Sequence, residues 1–105
     1  YQAALSQAKA QNKLIILTAT LPNCPWCHKL FSTTLQDKTL QTAINNNFIY
    51  AVVDARELPG NLHAMMTPTT FFLDAKGNLL ITMVGYVRAD EFALFADDAL
   101  KKAKK

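Results

Sequence analysis

The sequence has few of the residues that mark disordered, fibrous or heavily disulfide-bonded chains. Its 105 residues include only three glycines, four prolines and two cysteines. So little glycine and proline argues against a disordered or fibrous chain. Two cysteines can form one disulfide at most, whereas half of the residues are hydrophobic. We therefore expect a hydrophobic core that does not depend on disulfides, in one domain over residues 1–105.

Long hydrophobic runs are also missing. Apolar runs such as Leu14-Ile15-Ile16-Leu17 are far shorter than the roughly 20 residues that a membrane-spanning helix needs. No membrane span is therefore expected in this chain. The chain begins with Tyr1 and not with methionine, as expected of a processed or trimmed chain, so its sequence carries no information on a leader or an anchor.

The net charge of +3 gives little reason to expect a nucleic-acid partner. Four of the eleven lysine and arginine residues lie in the last five positions, 101–105. The other seven are outnumbered by the eight acidic residues. A basic tail of this kind is typical of a solvated helix end, where lysine also complements the helix dipole. No nucleic-acid binding is therefore expected.

Periodicity and turn residues predict alternating helices and strands. Helices are predicted over about residues 2–11, from Pro25 into the low thirties, over 38–45 and from Ala89 onward, and strands over 14–20, 48–54, 69–74 and 79–84. A short helix is also expected after Pro59-Gly60, and residues 75–78 predict a hairpin turn. The alternation at the front implies parallel strands joined by a crossover helix. The predicted fold is α/β, a four-stranded mixed sheet with helices on both faces.

The chemistry of the sequence is concentrated in the run Cys24-Pro25-Trp26-Cys27. This run follows a predicted buried strand and opens a predicted helix, which is the setting of a redox-active Cys-x-x-Cys pair. The helix N-terminus stabilises a thiolate, lowers its pKa and so favours disulfide exchange. We predict that Cys24 is the solvent-facing catalytic nucleophile. Cys27, one turn further and shielded, would be the catalytic resolving thiol, and this exchange needs no metal or organic cofactor.

A haem site is an alternative interpretation of the same run. Cys24, Cys27 and His28 together spell the c-type haem attachment pattern C-x-x-C-H, with His28 as the proximal ligand. The methionines that can supply the opposite axial ligand are Met65, Met66 and Met83. The number of predicted strands and the bulk of the dipeptide between the cysteines oppose this interpretation.

Two further alternatives stay open. The cysteine pair can form an unreactive structural disulfide, although so short a loop constrains little of the chain. Zinc can be held by Cys24, Cys27, His28 and His63, although their spacing matches none of the usual structural zinc patterns.

A proline at the mouth of the third predicted strand adds a second motif. Central strands tolerate proline at their start, and the bond before Pro68 can be cis. The chain resembles the thioredoxin superfamily from about residue 12 onward. The resemblance rests on the strand before Cys24-Pro25-Trp26-Cys27, the strand start Thr67-Pro68-Thr69, the turn Lys76-Gly77-Asn78, and Gly85.

The resemblance implies where a substrate binds. In that family the proline is cis and lies against the active-site disulfide, and the backbone of the residue before it pairs with an extended substrate. Thr67 and Pro68 would then belong to the substrate groove. Trp26 is expected to be exposed beside the reactive thiol, so Pro25 and Trp26 are expected to contact substrate as well.

Within the superfamily, the layout most resembles small extracytoplasmic bacterial thioredoxin-like proteins and the C-terminal domain of transmembrane thiol:disulfide interchange proteins. The ending Val84-Gly85-Tyr86 before Asp90-Glu91-Phe92 is part of that likeness. It implies an enzyme that exchanges disulfides with protein substrates, as a reductase, or a relay dedicated to a single partner. Expected partners are protein disulfide substrates and an unidentified redox partner. The protein is expected to be a monomer in the periplasm or another extracytoplasmic bacterial compartment, with the cytoplasm as the alternative.

Three positions depart from typical thioredoxins. A buried aspartate is usual six residues before the first cysteine and is thought to take the proton of the resolving thiol, but Thr18 stands there in this sequence. Tyr50 occupies the strand position that often holds a nearby lysine, and Asn23 precedes Cys24 in place of tryptophan. A neutral Thr18 cannot act as that base. Either water or another group assists Cys27, or exchange with general substrates is slower.

Overall fold

A four-stranded mixed sheet lies at the centre of the structure, a computed structural model that describes residues 2–58, 62–64 and 66–103. Its strands are β1 (Leu14–Thr20), β2 (Phe48–Asp54), β3 (Thr69–Leu73) and β4 (Leu79–Val84). They lie in the spatial order β2-β1-β3-β4. Strand β1 is parallel to β2, and β3 is antiparallel to both β1 and β4. The predicted parallel pair and the antiparallel hairpin at the edge are confirmed.

Helices cover both faces of this sheet, as predicted. They are α1 (Gln2–Gln11), α2 (Pro25–Ser32), α3 (Lys38–Asn47) and α4 (Ala89–Ala103). Helix α1 packs on one face through Ala4 and Ala8, whereas α3 and α4 pack on the other. Among the described residues, no helix is long and apolar enough to cross a membrane.

The apolar run of β1 is buried on both sides, because β1 lies between β2 and β3. Successive side chains of a strand point to opposite faces. Ile15 and Leu17 therefore pack with α1, whereas Ile16 packs with α3 and α4. Phe71 and Phe72 in β3 diverge in the same way, which confirms their prediction as core residues on opposite faces.

The larger core cluster contains a group of four aromatic rings around Phe72, which is fully buried. Phe72 makes edge contacts with Phe48 and Phe92 at centroid separations of 6.2 and 5.8 Å. It stacks with Phe95 at 6.5 Å. Rings at such separations attract one another in addition to burying apolar area. The group joins β2, β3 and α4 into one unit.

Most predicted boundaries agree with the structure within two residues. Between β1 and β2 a 3₁₀ turn at Thr34–Gln36 separates α2 from α3, and Asp37 caps α3 by accepting a hydrogen bond from the Leu40 N–H at 2.8 Å. Helix α3 runs to Asn47, beyond the predicted end. Strand β3 ends at Leu73, one residue early, because the side chain of Asp74 is used by the following turn.

The turn between β3 and β4 has the predicted hairpin form. The Asp74 carboxylate accepts hydrogen bonds from the backbone N–H groups of Lys76 and Asn78, both at 2.9 Å. Gly77 has φ +89°, a left-handed conformation that glycine adopts without steric cost. The turn follows the C-terminal end of β3, whereas Pro68 precedes its N-terminal end.

The short helix predicted after Pro59-Gly60 falls in the connection between β2 and β3, which the structure describes only in part. Residues 59–61 and 65 of this segment lie outside the described residues, and residues 62–64 have no regular secondary structure. A 3₁₀ turn occurs earlier, at Ala55–Glu57. It forms there because the Asp54 carboxylate accepts hydrogen bonds from the backbone and side chain of Arg56, at 2.8 and 2.9 Å.

Replacing Phe72 with alanine is expected to lower the free energy of unfolding by about 3–5 kcal/mol, because it leaves a cavity among the other three rings. Denaturant unfolding followed by circular dichroism measures this. Leu94→Ala is the matched control, since Leu94 in α4 is 67% exposed, and it should change the stability by at most about 0.5 kcal/mol. Equal losses in the two variants would contradict the assignment of this core.

Candidate active site

Cys24 and Cys27 are joined by a disulfide at the start of α2, with their Cα atoms 5.2 Å apart. Asn23, with φ +61°, turns the chain after β1 into the helix, in a conformation that asparagine tolerates better than most residues. Pro25 occupies the first helical position, where its missing N–H leaves no donor unpaired. Cys24 is thus the N-cap residue of α2, and the prediction that a helix begins at this pair is confirmed.

The sulfur of Cys24 accepts two hydrogen bonds. One comes from the backbone N–H of Cys27 at 3.1 Å and the other from the hydroxyl of Thr67 at 3.3 Å. Donors that face a sulfur stabilise its negative charge once the disulfide is reduced. The dipole of α2 acts in the same direction. This arrangement favours a thiolate at Cys24.

Both cysteines are nearly buried. Cys27 is 3% exposed, which confirms that it is shielded, but Cys24 is only 8% exposed. The expectation of a solvent-facing Cys24 is therefore wrong, because the loop before β3 lies against its sulfur through Thr67. A small cavity of about 130 Å³ reaches both cysteines from the side of the turn between β1 and α2, and its lining includes His28.

The bond between Thr67 and Pro68 is cis, which confirms the expectation from the resemblance. Pro68 is buried, and its carbonyl accepts a hydrogen bond from the Gly85 N–H at 2.8 Å. The Thr69 hydroxyl donates to the Met66 carbonyl at 2.6 Å. The N–H and C=O of Thr67 have no hydrogen-bond partner among the described residues. Thr67 therefore offers one backbone donor and one acceptor beside the disulfide.

A groove of about 310 Å³ lies next to the cysteine pair. The residues that line it are Trp26, Met66, Thr67, Gly85 and Tyr86. Trp26 is 54% exposed, as expected, so much of its apolar surface is open to solvent. Of the predicted substrate residues, Trp26 and Thr67 lie together in this groove. Pro68 is buried beneath the same loop, and Pro25 is exposed but does not line the groove.

Tyr86, which lines the groove, and Lys29, which lies beside it, were not predicted as site residues, although Tyr86 belongs to the ending Val84-Gly85-Tyr86 on which part of the resemblance rests. The ring centroids of Trp26 and Tyr86 are 5.9 Å apart. The ammonium of Lys29 lies 5.2 Å from the first and 4.8 Å from the second. A weak sequence signal exists, because Trp26, Lys29 and Thr33 recur at the three- and four-residue spacing of one helix face. Tyr86 carries no such signal.

The hydroxyl groups of two buried threonines and of the part-buried Tyr50 form a chain at Thr18, the position where the resemblance implies a carboxylate in typical thioredoxins. Tyr50 donates a hydrogen bond to the Thr18 Oγ1 at 2.8 Å, and the Oγ1 atoms of Thr18 and Thr70 lie 3.1 Å apart. Burial raises the pKa of Tyr50 to about 12 from an ordinary value of 10.0. The phenol is therefore neutral at neutral pH, and the whole chain of hydroxyl groups is uncharged.

The structure supports the haem and zinc alternatives less well than it supports a redox-active cysteine pair. The two cysteine sulfurs are bonded to each other, and Met83 is 1% exposed in the core cluster of Phe72. His28 and His63 are exposed, and Met65 lies outside the described residues. Across the part of the chain that the structure describes, no three His, Cys, Asp or Glu residues are grouped to hold a metal ion. Neither alternative gains a specific supporting observation.

A family model of the thioredoxin-like domain matches residues 1–100. The chain therefore belongs to the thioredoxin-like domain family. Together with the disulfide-joined Cys-x-x-Cys pair at the start of α2, this defines the class of the chain as a thioredoxin-like domain of the thiol–disulfide oxidoreductase type.

Solved structures show the same fold. The chain is similar to a thioredoxin from Thermus thermophilus, with a TM-score of 0.77 and 21% identity over 95% of this chain and 83% of that one. It is also similar to the C-terminal domain of Neisseria meningitidis DsbD in the oxidised form. There the TM-score is 0.72, with 20% identity over 93% of this chain and 90% of that one.

A curated relative matches only in part. Spermatogenesis-associated protein 20 of Mus musculus is 36% identical over 58 residues, which are 55% of this chain and 7% of that protein. The chain thus spans about 7% of the length of the curated relatives it matches.

Tyr50 is expected to ionise with a midpoint near pH 12. Because the folded state holds this proton more tightly than the unfolded state, the stabilising effect is fully present below pH 10.0 and is lost as the pH rises through 12. A titration of tyrosinate absorbance measures the midpoint, and Tyr50→Phe should remove that late component. Tyr86→Phe, the control, should leave it unchanged. Loss of a component near pH 10 in Tyr50→Phe would contradict the prediction.

Proposed function

We propose that this chain is an enzyme that reduces disulfides of protein substrates through Cys24 and Cys27. The observation that carries the proposal is the environment of the Cys24 sulfur. It lies at the N-terminus of α2 and accepts hydrogen bonds from the Cys27 N–H and the Thr67 hydroxyl. This environment suits a low-pKa thiolate, which is the species that attacks a disulfide.

The proposed reaction has two balanced steps. In the first, the Cys24 thiolate attacks one sulfur of the substrate disulfide, forms a mixed disulfide and releases the other substrate sulfur as a thiolate. In the second, the Cys27 thiolate attacks the Cys24 sulfur and releases the second substrate thiolate. The substrate gains two electrons and the cysteine pair loses them. The shielded position of Cys27, one turn into α2, supports its role as the resolving thiol.

The substrate segment is proposed to bind in an extended form along the loop before β3. The unpartnered N–H and C=O of Thr67 can pair with a substrate backbone in the manner of strand addition. The exposed ring of Trp26 then contacts the segment from the opposite side of the groove. Pro68 supports Thr67 from below, and Pro25 contributes at the edge of the site. These roles keep the reacting substrate sulfur close to Cys24.

An unidentified protein that returns electrons to the cysteine pair is part of the proposal. An extracytoplasmic bacterial location is supported by the sequence resemblance to interchange proteins and by the likeness in fold to the DsbD C-terminal domain. A monomer remains the expected state.

Cysteine variants test the proposed roles. Cys24→Ser is expected to abolish reduction of a protein disulfide such as that of insulin, because the attacking thiolate is gone. Cys27→Ser should instead accumulate a mixed disulfide between Cys24 and substrate, because nothing resolves it. Non-reducing electrophoresis and mass spectrometry detect that adduct. Normal turnover by Cys27→Ser, or alkylation of Cys27 before Cys24 in the reduced protein, would reverse the assignment.

The pKa of the Cys24 thiol is expected to lie below the free value of about 8.5. Thr67→Val removes one donor to the sulfur with little change of shape, so it should raise that pKa by roughly half a unit to one unit. The pH dependence of alkylation of the reduced protein measures both values. Thr82→Val, on the exposed side of β4, is the control and should not change the midpoint. Equal midpoints in the wild type and Thr67→Val would show that the hydroxyl does not stabilise the thiolate.

A further inference from the structure

One face of α2 holds a cation against two aromatic rings that contact each other. Trp26 and Lys29 are three residues apart and therefore lie on the same side of the helix. The Lys29 ammonium lies 5.2 Å from the centroid of Trp26 and 4.8 Å from that of Tyr86, within the range at which ring faces attract cations. Both rings line the 310 Å³ groove, so the ammonium lies beside two of the residues that form it.

This arrangement is tied to α2 by hydroxyl groups. The Thr33 hydroxyl donates to the Lys29 carbonyl at 2.6 Å and lies 3.2 Å from the hydroxyl of Tyr86. The Thr34 hydroxyl donates to the Val87 carbonyl at 2.6 Å. The loop that carries Tyr86 is therefore fixed to the end of α2, and the two rings keep their positions against the ammonium.

The charge of Lys29 is not balanced by a nearby carboxylate. Arg88, in the same loop as Tyr86, is paired with Asp90 and Glu91, each at 3.4 Å. Lys29 has no carboxylate within 4.0 Å among the residues that the structure describes. A positive charge without a nearby carboxylate thus lies beside two aromatic residues of an apolar groove, next to the proposed substrate path.

We propose that Lys29 makes this groove select disulfides whose cysteine lies in an apolar segment with acidic flanking residues. The inference rests on the proposed function, since the segment is that of the disulfide substrate. An apolar side chain fills the groove that Trp26 and Tyr86 help to line, and a carboxylate next to it reaches the ammonium. A basic flank in the same place is repelled, so the cation also acts against the wrong partners.

The two rings make this selection more effective than a freely moving lysine would. A long side chain normally loses rotamer freedom when it pairs with a partner. The ring faces already restrict the ammonium of Lys29, so less freedom is lost when a carboxylate binds. Lys29 is thus a specificity-determining residue that touches the substrate without taking part in sulfur chemistry.

Peptide disulfides provide the test. Three heptapeptides have a central cysteine between two leucines and carry glutamate, glutamine or lysine at the second and sixth positions. Each is oxidised to its disulfide-linked dimer, and the second-order rate of its reduction by the reduced protein is measured. Each rate is divided by the rate with dithiothreitol, whose attacking thiolate is negatively charged like that of Cys24 but has no lysine beside it, which removes differences in the intrinsic reactivity of the three disulfides.

The expected order of normalised rates is glutamate, then glutamine, then lysine. A two- to fivefold preference for glutamate over glutamine at low salt is typical of an exposed ion pair, and it should decline at about 0.5 M salt. Lys29→Met keeps much of the aliphatic stem and should abolish the preference, whereas Lys29→Arg should retain it. Lys76→Met, in the turn at the far end of β3, is the matched control and should behave as the wild type.

A binding measurement separates the two proposals. Trp26 is the only tryptophan of the chain and lines the groove, so its fluorescence reports binding of the same peptides with serine in place of cysteine to the oxidised protein. Tighter binding of the glutamate peptide that is lost in Lys29→Met supports selection by Lys29. If no peptide disulfide is reduced at the same time, the proposed function alone is rejected. Reduction and binding without a glutamate preference, or a preference that persists in Lys29→Met, would overturn the role of Lys29.

Discussion

The candidate site depends on one contact, between the start of α2 and the loop that enters β3. The Thr67 hydroxyl reaches the sulfur of Cys24, the residue that caps α2. This contact sets three properties at once. It gives the sulfur a second hydrogen-bond donor, it lies against a cysteine that is only 8% exposed, and it places an unpartnered backbone N–H and C=O beside the disulfide. The proposed reactivity and the proposed substrate binding therefore depend on the same packing.

The groove depends on a second meeting of distant segments. Gly85 follows β4 and donates its N–H to the Pro68 carbonyl, which ties the end of β4 to the loop at Thr67. Its φ of +83° is strained for any residue with a side chain. The chain then turns so that Tyr86 faces Trp26 across α2. The conformation of Gly85 thus sets the position of Tyr86 in the lining of the groove.

The buried interior behind the site is polar but uncharged. Tyr50, Thr18 and Thr70 satisfy one another's hydroxyl groups, and burial holds the pKa of the Tyr50 phenol near 12. A hydroxyl chain of this kind avoids the cost of burying a charge, but it offers no carboxylate to take a proton from a thiol. The aromatic group around Phe72 anchors β2 and β3, the strands that carry Tyr50 and Thr70. A positive charge lies outside this interior, on the exposed Lys29.

The sequence alone determined the parts of this protein that local patterns encode. The buried run of β1, the capped start of α2 and the turn at Asp74 depend on neighbours in the chain, so periodicity and turn residues predict them. The cis bond before Pro68 followed from resemblance and not from local physics. Only the tertiary structure decided that Cys24 is covered, that Lys29 lies against the rings of Trp26 and Tyr86, and that Thr18 bonds to Tyr50. The last two join residues 57 and 32 positions apart, and hydrophobic period carries no information about which polar side chains the folded sheet brings together.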